Sequence, residues 1–301
     1  MPWFDRFDKL VQFPDMEILR EEPMEKHTTF RIGGPVRRFV RPASAKQCEA
    51  LLTMAEEENW PVLVLGNGSN LLAADEALDL LAVHTGGLNG LERTGEETVQ
   101  AGAGVSLARL ASFALREGLS GLEFAHGIPG SLGGGVCMNA GAYGGEMRQV
   151  LSAVTAWFPG EGVRRLTVEE LELGYRRSIF NSRRGAVLEA EFHLERGDRG
   201  DIRAQMEALG RRRREKQPLE YPSAGSTFKR PEGHFAGTLI EQCGLKGCRV
   251  GGAQVSEKHA GFIINTGGAT CADVLSLIGR IQETVYKQTG VRLEPEVKMV
   301  P

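Results

Sequence analysis

The apolar positions of this 301-residue chain change period several times, and each change predicts an element. Residues 39–41 form a short extended run stopped by Pro42. Ser44 followed by Gln47 is a capping-box signature, and Cys48, Leu51, Leu52 and Ala55 then recur at helical spacing until Pro61 closes the helix. Val62–Leu65 reads as a buried strand running into a glycine loop at 66–70, which completes one strand–helix–strand unit. Strands are expected at 80–84 and 99–103. Ser106 caps a helix with Leu107, Leu110, Ala111, Ala114 and Leu115 inward and Gly118 at its end. Further strands are expected at 150–158 and 163–167. In 187–194, Leu188, Ala190, Phe192 and Leu194 alternate onto one face, the pattern of a half-buried strand.

A helix from 201 to 216, ended by Pro218, carries four arginines at 211–214. Two readings of that run stay open: a solvated helix end whose charge suits the dipole, or a lure for an anionic substrate. The last third reads as a separate unit. It holds a short helix at 238–243 stopped by Gly244 and a strand at 260–265. A helix with the stripe Val274, Leu275, Ile278, Ile281 and Val285 follows, ended by Gly290, and 291–300 reads as a closing strand.

Composition changes the picture at one point. Glycine supplies 39 of 301 residues, nearly twice the usual share of about 7%. The glycines follow no three-residue period and proline is only 13, which excludes a collagen. Thirty-six Lys+Arg against 39 Asp+Glu give a net charge of −3, without the basic excess of a nucleic-acid binder. Five cysteines include no CxxC pair, and no Cys/His set has zinc spacing, so reduced thiols and no metal are expected. The first residues, MPWFDRFDKL, lack the apolar core of a secretory signal, and no apolar run approaches membrane-spanning length. A cytoplasmic protein is the expectation.

Ten glycines fall between Gly118 and Gly145, around GIPGSLGGGVCMNAGAYGG (127–145). With the loop at 66–70, this makes two candidates for cradling phosphate, because glycine lets bare backbone N–H groups approach an anion. Neither loop is followed by GK[ST], and neither has Rossmann GxGxxG spacing. Tight turns in a β-rich domain are the alternative. Ser69, Asn70, Ser131 and Asn139 beside these loops favour a pyrophosphate. GYRRSIF (174–180) offers guanidinium groups for a carboxylate or phosphate, or a surface ion-pair patch. SAGSTFKRP (223–231) brings hydroxyls together with Lys229 and Arg230. LEPEV (293–297) sets a carboxylate at the start of the closing strand.

Taken in order, TTFRIGG, GNGSNLL, GIPGSLGGGVCMNAGAYGGE, GYRRSIF, GSTFKRP, LKGCRVGGAQVSEKHAGFIIN and EPEV resemble the UDP-N-acetylenolpyruvoylglucosamine reductase family. The resemblance runs from about residue 25 to the C-terminus. The compact spacing between GYRRSIF and GSTFKRP resembles its shorter, type II branch. It implies an α+β chain with two FAD-binding α/β subdomains of the vanillyl-alcohol-oxidase (PCMH) type and a C-terminal α/β substrate-binding domain. The implied divisions are 1–84 together with a strand at 293–301, then 85–206, then 207–292 for the UDP-sugar.

The same resemblance implies that FAD is held noncovalently, although His126 precedes the GIPG loop. The implied cofactor contacts are Gly66, Asn67, Gly68, Ser69, Asn70, Leu71, Gly127, Ile128, Pro129, Gly130, Ser131, Gly133, Gly134 and Asn139. NADPH is the implied hydride source and UDP-N-acetylglucosamine enolpyruvate the implied substrate, in peptidoglycan precursor synthesis. Arg176, chosen over Arg177, would stabilise the carboxylate and enolate-like charge. Ser226 would protonate the α-carbon, and Glu296 would hydrogen-bond the intermediate. Lys229, Lys246 and His259 would help hold the UDP-sugar, with an exposed, unengaged Lys229 as the other reading. A monomer without nucleic-acid or membrane partners is expected. Two other functions stay open: an oxidase of the same superfamily using O₂, and a catalytically silent nucleotide-sugar sensor.

Overall fold

The computed structural model describes all residues, Met1–Pro301. The chain divides into two compact units. The first comprises Met1–Arg20, Arg37–Asn67 and Asp79–Arg212; the second comprises Glu21–Val36, Gly68–Leu78 and Arg213–Pro301. No helix is long and apolar enough to cross a membrane.

Most of a four-stranded sheet belongs to the first unit, in the order Glu17–Pro23, Pro35–Arg41, Leu78–His84, Val62–Leu65. The last two strands run parallel, Val62 opposite Leu81 and Leu65 opposite His84. Val62–Leu65 is therefore an edge strand, and only Leu65 is buried, whereas its apolar run predicts a buried strand. The helix Ala45–Glu57 buries Cys48, Leu51, Leu52 and Ala55. Ser44 Oγ accepts from the Gln47 N–H, but the Gln47 side chain reaches past Ser44 to the Ala43 N–H at 2.9 Å. Pro61 is not what stops this helix. Asn59 adopts a left-handed φ of 54°, and the Trp60 N–H returns to the Ala55 carbonyl at 2.8 Å, an αL termination of the helix end.

A five-stranded antiparallel sheet follows in the order Gly162–Thr167, Leu151–Phe158, Ala186–His193, Thr98–Gly102, Leu91–Arg93. Leu188, Ala190 and Phe192 face the core as their alternation predicts, but Ala186 and Val187 are buried too. Ala186 keeps the same alternation, and Val187 departs from it beside a bulge: Thr155 pairs with Glu189 but Ala156 with Val187, which leaves Leu188 as the extra residue. The helix Leu107–Glu117 is capped by Ser106 Oγ and ends at Gly118, whose φ of 68° suits glycine. Its stripe and both sheets share one core with Phe7, Trp60 and Phe158.

The second unit is built on an antiparallel sheet in the order Ser223–Ser226, Phe262–Asn265, Ala253–Val255, Arg249–Val250. The strand expected from 260 begins only at Phe262, because the Phe262 N–H turns back to the His259 carbonyl. The helices Ala236–Gln242 and Cys271–Thr289 complete the unit. On the long helix the expected stripe is wrong at one position. Leu275 is 42% exposed, and Leu277 is fully buried in its stead beside Val274, Ile278, Ile281 and Val285. The closing strand is shorter than 291–300. Only Lys298–Val300 forms a ladder, parallel to Leu71–Ala73. Before it, Pro295 has no N–H to give, and the flanking residues bond instead to 227 and 229.

Candidate active site

In the first unit, the two glycine loops meet. A Cβ added at Gly66 would lie 1.8 Å from Ser131 Oγ, so only glycine fits there without displacing the serine. Asn67 Nδ2 donates to the Pro129 carbonyl at 3.4 Å. Ser131 is 2% exposed, yet its hydroxyl has no hydrogen-bond partner. A buried polar group left in this state points to a ligand that completes it. Gly134 is exposed, and a Cβ there would meet only Ser131 Oγ, at 3.6 Å. The loop thus offers an open glycine and an unsatisfied hydroxyl side by side, which fits a nucleotide cofactor approached by bare backbone. Its other glycines have different work. The Gly133 N–H donates to the Ala103 carbonyl, and a Cβ at Gly135 would crowd Leu107 at 3.3 Å. The Ile128 N–H is also taken, by Ala125.

Arg176 lies in the same unit, in a tight turn. Gly174 and Arg177 exchange backbone hydrogen bonds at 3.0 and 3.2 Å, and Arg176 has a φ of 53°. Its guanidinium sits 5.7 Å from the Tyr175 ring centroid. Arg177 turns instead to Glu172, at 3.5 Å, and both are exposed. Asn139 is buried, and its amide is engaged by protein on both sides: Nδ2 donates to the Gly174 carbonyl and to Glu146 Oε2, and Oδ1 accepts from the Arg148 N–H.

In the second unit, Ser226 ends the strand Ser223–Ser226, after Gly225 at a φ of 77°. Thr227 then anchors the chain: its N–H donates to the Gly261 carbonyl, and its hydroxyl accepts from the Ile263 N–H at 3.1 Å. The Glu296 N–H donates to the Thr227 carbonyl at 2.8 Å, and Phe228 pairs with Pro295. Ser226 and Glu296 are thereby brought together on neighbouring backbone, although 70 positions apart in sequence. Asn70 holds the same segment from its other side. Its Nδ2 donates to the Glu296 carbonyl at 3.1 Å, and its carbonyl accepts from the Lys298 N–H at 2.9 Å. A Cβ at Gly68 would lie 2.0 Å from the His27 carbonyl, so this glycine serves packing within the unit.

Lys229 forms an ion pair with Glu294 beside Glu296, and Lys246 pairs with Glu241 at 2.6 Å. His259 is close enough to Lys246 and Glu241 to feel both charges. Burial holds its pKa below the ordinary 6.5. The Gly261 N–H donates to its Nδ1 at 3.1 Å, which fixes the neutral ring with its proton on Nε2. Cys48 is pushed up to about 12 and Cys271 to about 11, both by burial first, so neither is a nucleophile near neutrality.

The sequence did not single out Thr227 or Ser178, whose hydroxyl donates to the Cys137 carbonyl at 2.7 Å. Both sit inside motifs already quoted, but only the fold shows what their hydroxyls bind.

The family model for the UDP-N-acetylenolpyruvoylglucosamine reductase C-terminal domain matches residues 217–300, and that for an FAD binding domain matches 36–167. The UDP-N-acetylenolpyruvoylglucosamine reductase of Agathobacter rectalis is 50% identical over 301 residues, covering 96% of each chain. That of Caldanaerobacter subterraneus is 47% identical over 94% of this chain and 96% of its own. The crystal structure of the Thermus caldophilus enzyme superposes with a TM-score of 0.82 at 36% identity, over 96% of this chain and all of that one. An alkyldihydroxyacetonephosphate synthase, 18% identical with a TM-score of 0.50 over 65% of this chain and 39% of its own, shares the fold alone. With its FAD-binding domain, the chain belongs to the UDP-N-acetylenolpyruvoylglucosamine reductase family of flavin-dependent oxidoreductases.

Proposed function

We propose that this protein reduces UDP-N-acetylglucosamine enolpyruvate to UDP-N-acetylmuramate with NADPH, through noncovalently held FAD. The observation that carries the reading is the placement of Ser226 beside Glu296, fixed by the Glu296–Thr227 and Asn70–Glu296 hydrogen bonds. Gly66, Asn67, Ser131 and Gly134 are the residues that would hold the FAD pyrophosphate, the Ser131 hydroxyl finding there the acceptor it lacks. When bound, FAD would supply the hydride chemistry that links NADPH to the terminal carbon of the enolpyruvyl ether.

The chain's own groups manage the charge and the proton. Hydride addition leaves negative charge on the carbon beside the carboxylate. Arg176 stabilises that charge through its guanidinium. Ser226 gives its hydroxyl proton to that carbon and is reprotonated from solvent. A serine is a weak acid, so it serves only for a strongly basic carbon held at close range. Glu296 hydrogen-bonds the developing intermediate. Lys229, Lys246 and His259 meet the UDP-sugar. FAD is assigned to 1–84 with 293–301 and to 85–206, and the UDP-sugar to 207–292.

Five free cysteines suit a reducing cytoplasm. There the product would feed peptidoglycan synthesis, and through it cell shape and division. The test is to mix protein, FAD, NADPH and the enolpyruvyl substrate and follow the NADPH absorbance. Substrate-dependent loss, with a product heavier by two hydrogens, is expected. NADPH that is stable in the presence of substrate contradicts the reading.

A further inference from the structure

The Arg176 turn is held in a conformation that its own sequence does not favour. Glu172 and Arg176 have φ of 49° and 53°, and Asn139, which touches the turn, has 40°. Left-handed backbone at such residues persists only where the surroundings over-determine it. Two buried side chains supply that constraint, one at each end of the turn. Asn139, 2% exposed, donates to the Gly174 carbonyl at 3.1 Å, and its remaining bonds to Glu146 and the Arg148 N–H hold the amide in place. Ser178, 1% exposed, donates through Oγ to the Cys137 carbonyl at 2.7 Å and accepts the Phe180 N–H, while its own N–H donates to Asn181 Oδ1 at 2.8 Å. Cys137 closes the short helix Leu132–Cys137 that begins after Ser131. The turn is therefore fastened to the end of the glycine segment at both of its own ends.

We propose that Asn139 and Ser178 are positioning residues that clamp the Arg176 turn, and that they act on substrate reduction only through Arg176. Asn139 then serves the turn and not the cofactor, since three of the four hydrogen-bonding positions of its amide are already filled by protein. The proposal rests on the reaction assigned above, and its test separates the two.

The first arm needs no turnover. Holoenzyme is exposed to trypsin, and cleavage after Arg176 and Arg177 is timed by mass spectrometry. Ser178→Ala, which removes a single oxygen, and Asn139→Ala should each speed nicking at these two sites about tenfold, with other sites unchanged except Arg148 in the Asn139 variant, whose N–H that amide also holds. Nicking at the wild-type rate in both variants overturns the clamp. The second arm measures the half-reactions. Ser178→Ala should slow flavin reoxidation by the enolpyruvyl substrate by about 10- to 100-fold, the scale of a small misplacement. Flavin reduction by NADPH should stay within about twofold. In an Arg176→Ala background, adding Ser178→Ala should cost nothing further. An equal loss in both half-reactions, or an undiminished loss on top of Arg176→Ala, overturns the coupling to Arg176. A wild-type flavin that the substrate fails to reoxidise overturns the assigned reaction instead, and the trypsin comparison still decides the clamp.

Discussion

Burial sets the charge state of His259. Its pKa is lowered, first by desolvation, and Nδ1 accepts the Gly261 N–H. The unfolded chain takes up the proton near the ordinary value of 6.5, while the folded chain takes it up only at lower pH. Between those points the unfolded state binds more protons, so stability rises with pH there and is lost as pH falls from about 6.5 through the folded value. Denaturant unfolding between pH 5 and 7.5 should show this slope, and His259→Gln should flatten it. An unchanged slope in the variant contradicts the assignment. At Ser226 the expectation is kinetic. Ser226→Ala should leave flavin reduction by NADPH intact and slow reoxidation by substrate by about 10²- to 10⁴-fold, the usual contribution of a positioned acid. Stopped-flow absorbance reads both steps, and normal reoxidation would remove Ser226 from its role.

Elements show which kinds of sequence signal survive folding. The helix caps at Ser44, Ser106 and Gly118 were legible because they are local: side chain and backbone partner lie within a few residues. The long helix was legible except at Leu275, because an apolar residue next to a stripe looks like a member of it. Leu277→Ala should therefore cost about 2–5 kcal/mol of stability, and Leu275→Ala about 0.5 kcal/mol or less, in parallel unfolding curves. The glycine segment was legible as a cluster but not in its uses. Gly133 and Gly135 are packed against Ala103 and Leu107, whereas Gly134 is open. Gly134→Val should accordingly leave the flavin-free protein about as stable as wild type and still weaken FAD retention, read as flavin absorbance after desalting. Retention equal to wild type would show that the open glycine does not face the cofactor. What could not be read was any contact made across long sequence separation, such as Asn70 with Glu296 or Ser178 with Cys137.

At the scale of the molecule, the motif order identified the family while the pairings that assemble each unit stayed hidden. The resemblance joins 293–301 to 1–84, but no local period announces that the ladder sets Lys298–Val300 beside Leu71–Ala73. FAD should in turn stabilise the chain that binds it. A cofactor that binds only the folded state adds about 2.7 kcal/mol at a hundredfold excess over its Kd, so FAD-loaded protein should melt measurably above stripped protein. Identical melting curves would count against a folded FAD site. The reaction itself is decided by one anaerobic experiment. The FAD-loaded protein is reduced with one equivalent of NADPH, UDP-N-acetylglucosamine enolpyruvate is added, and the flavin absorbance is followed. Prompt return of the oxidised flavin band, with UDP-N-acetylmuramate formed in equal amount, is the predicted result; a flavin that stays reduced in the presence of substrate would contradict it.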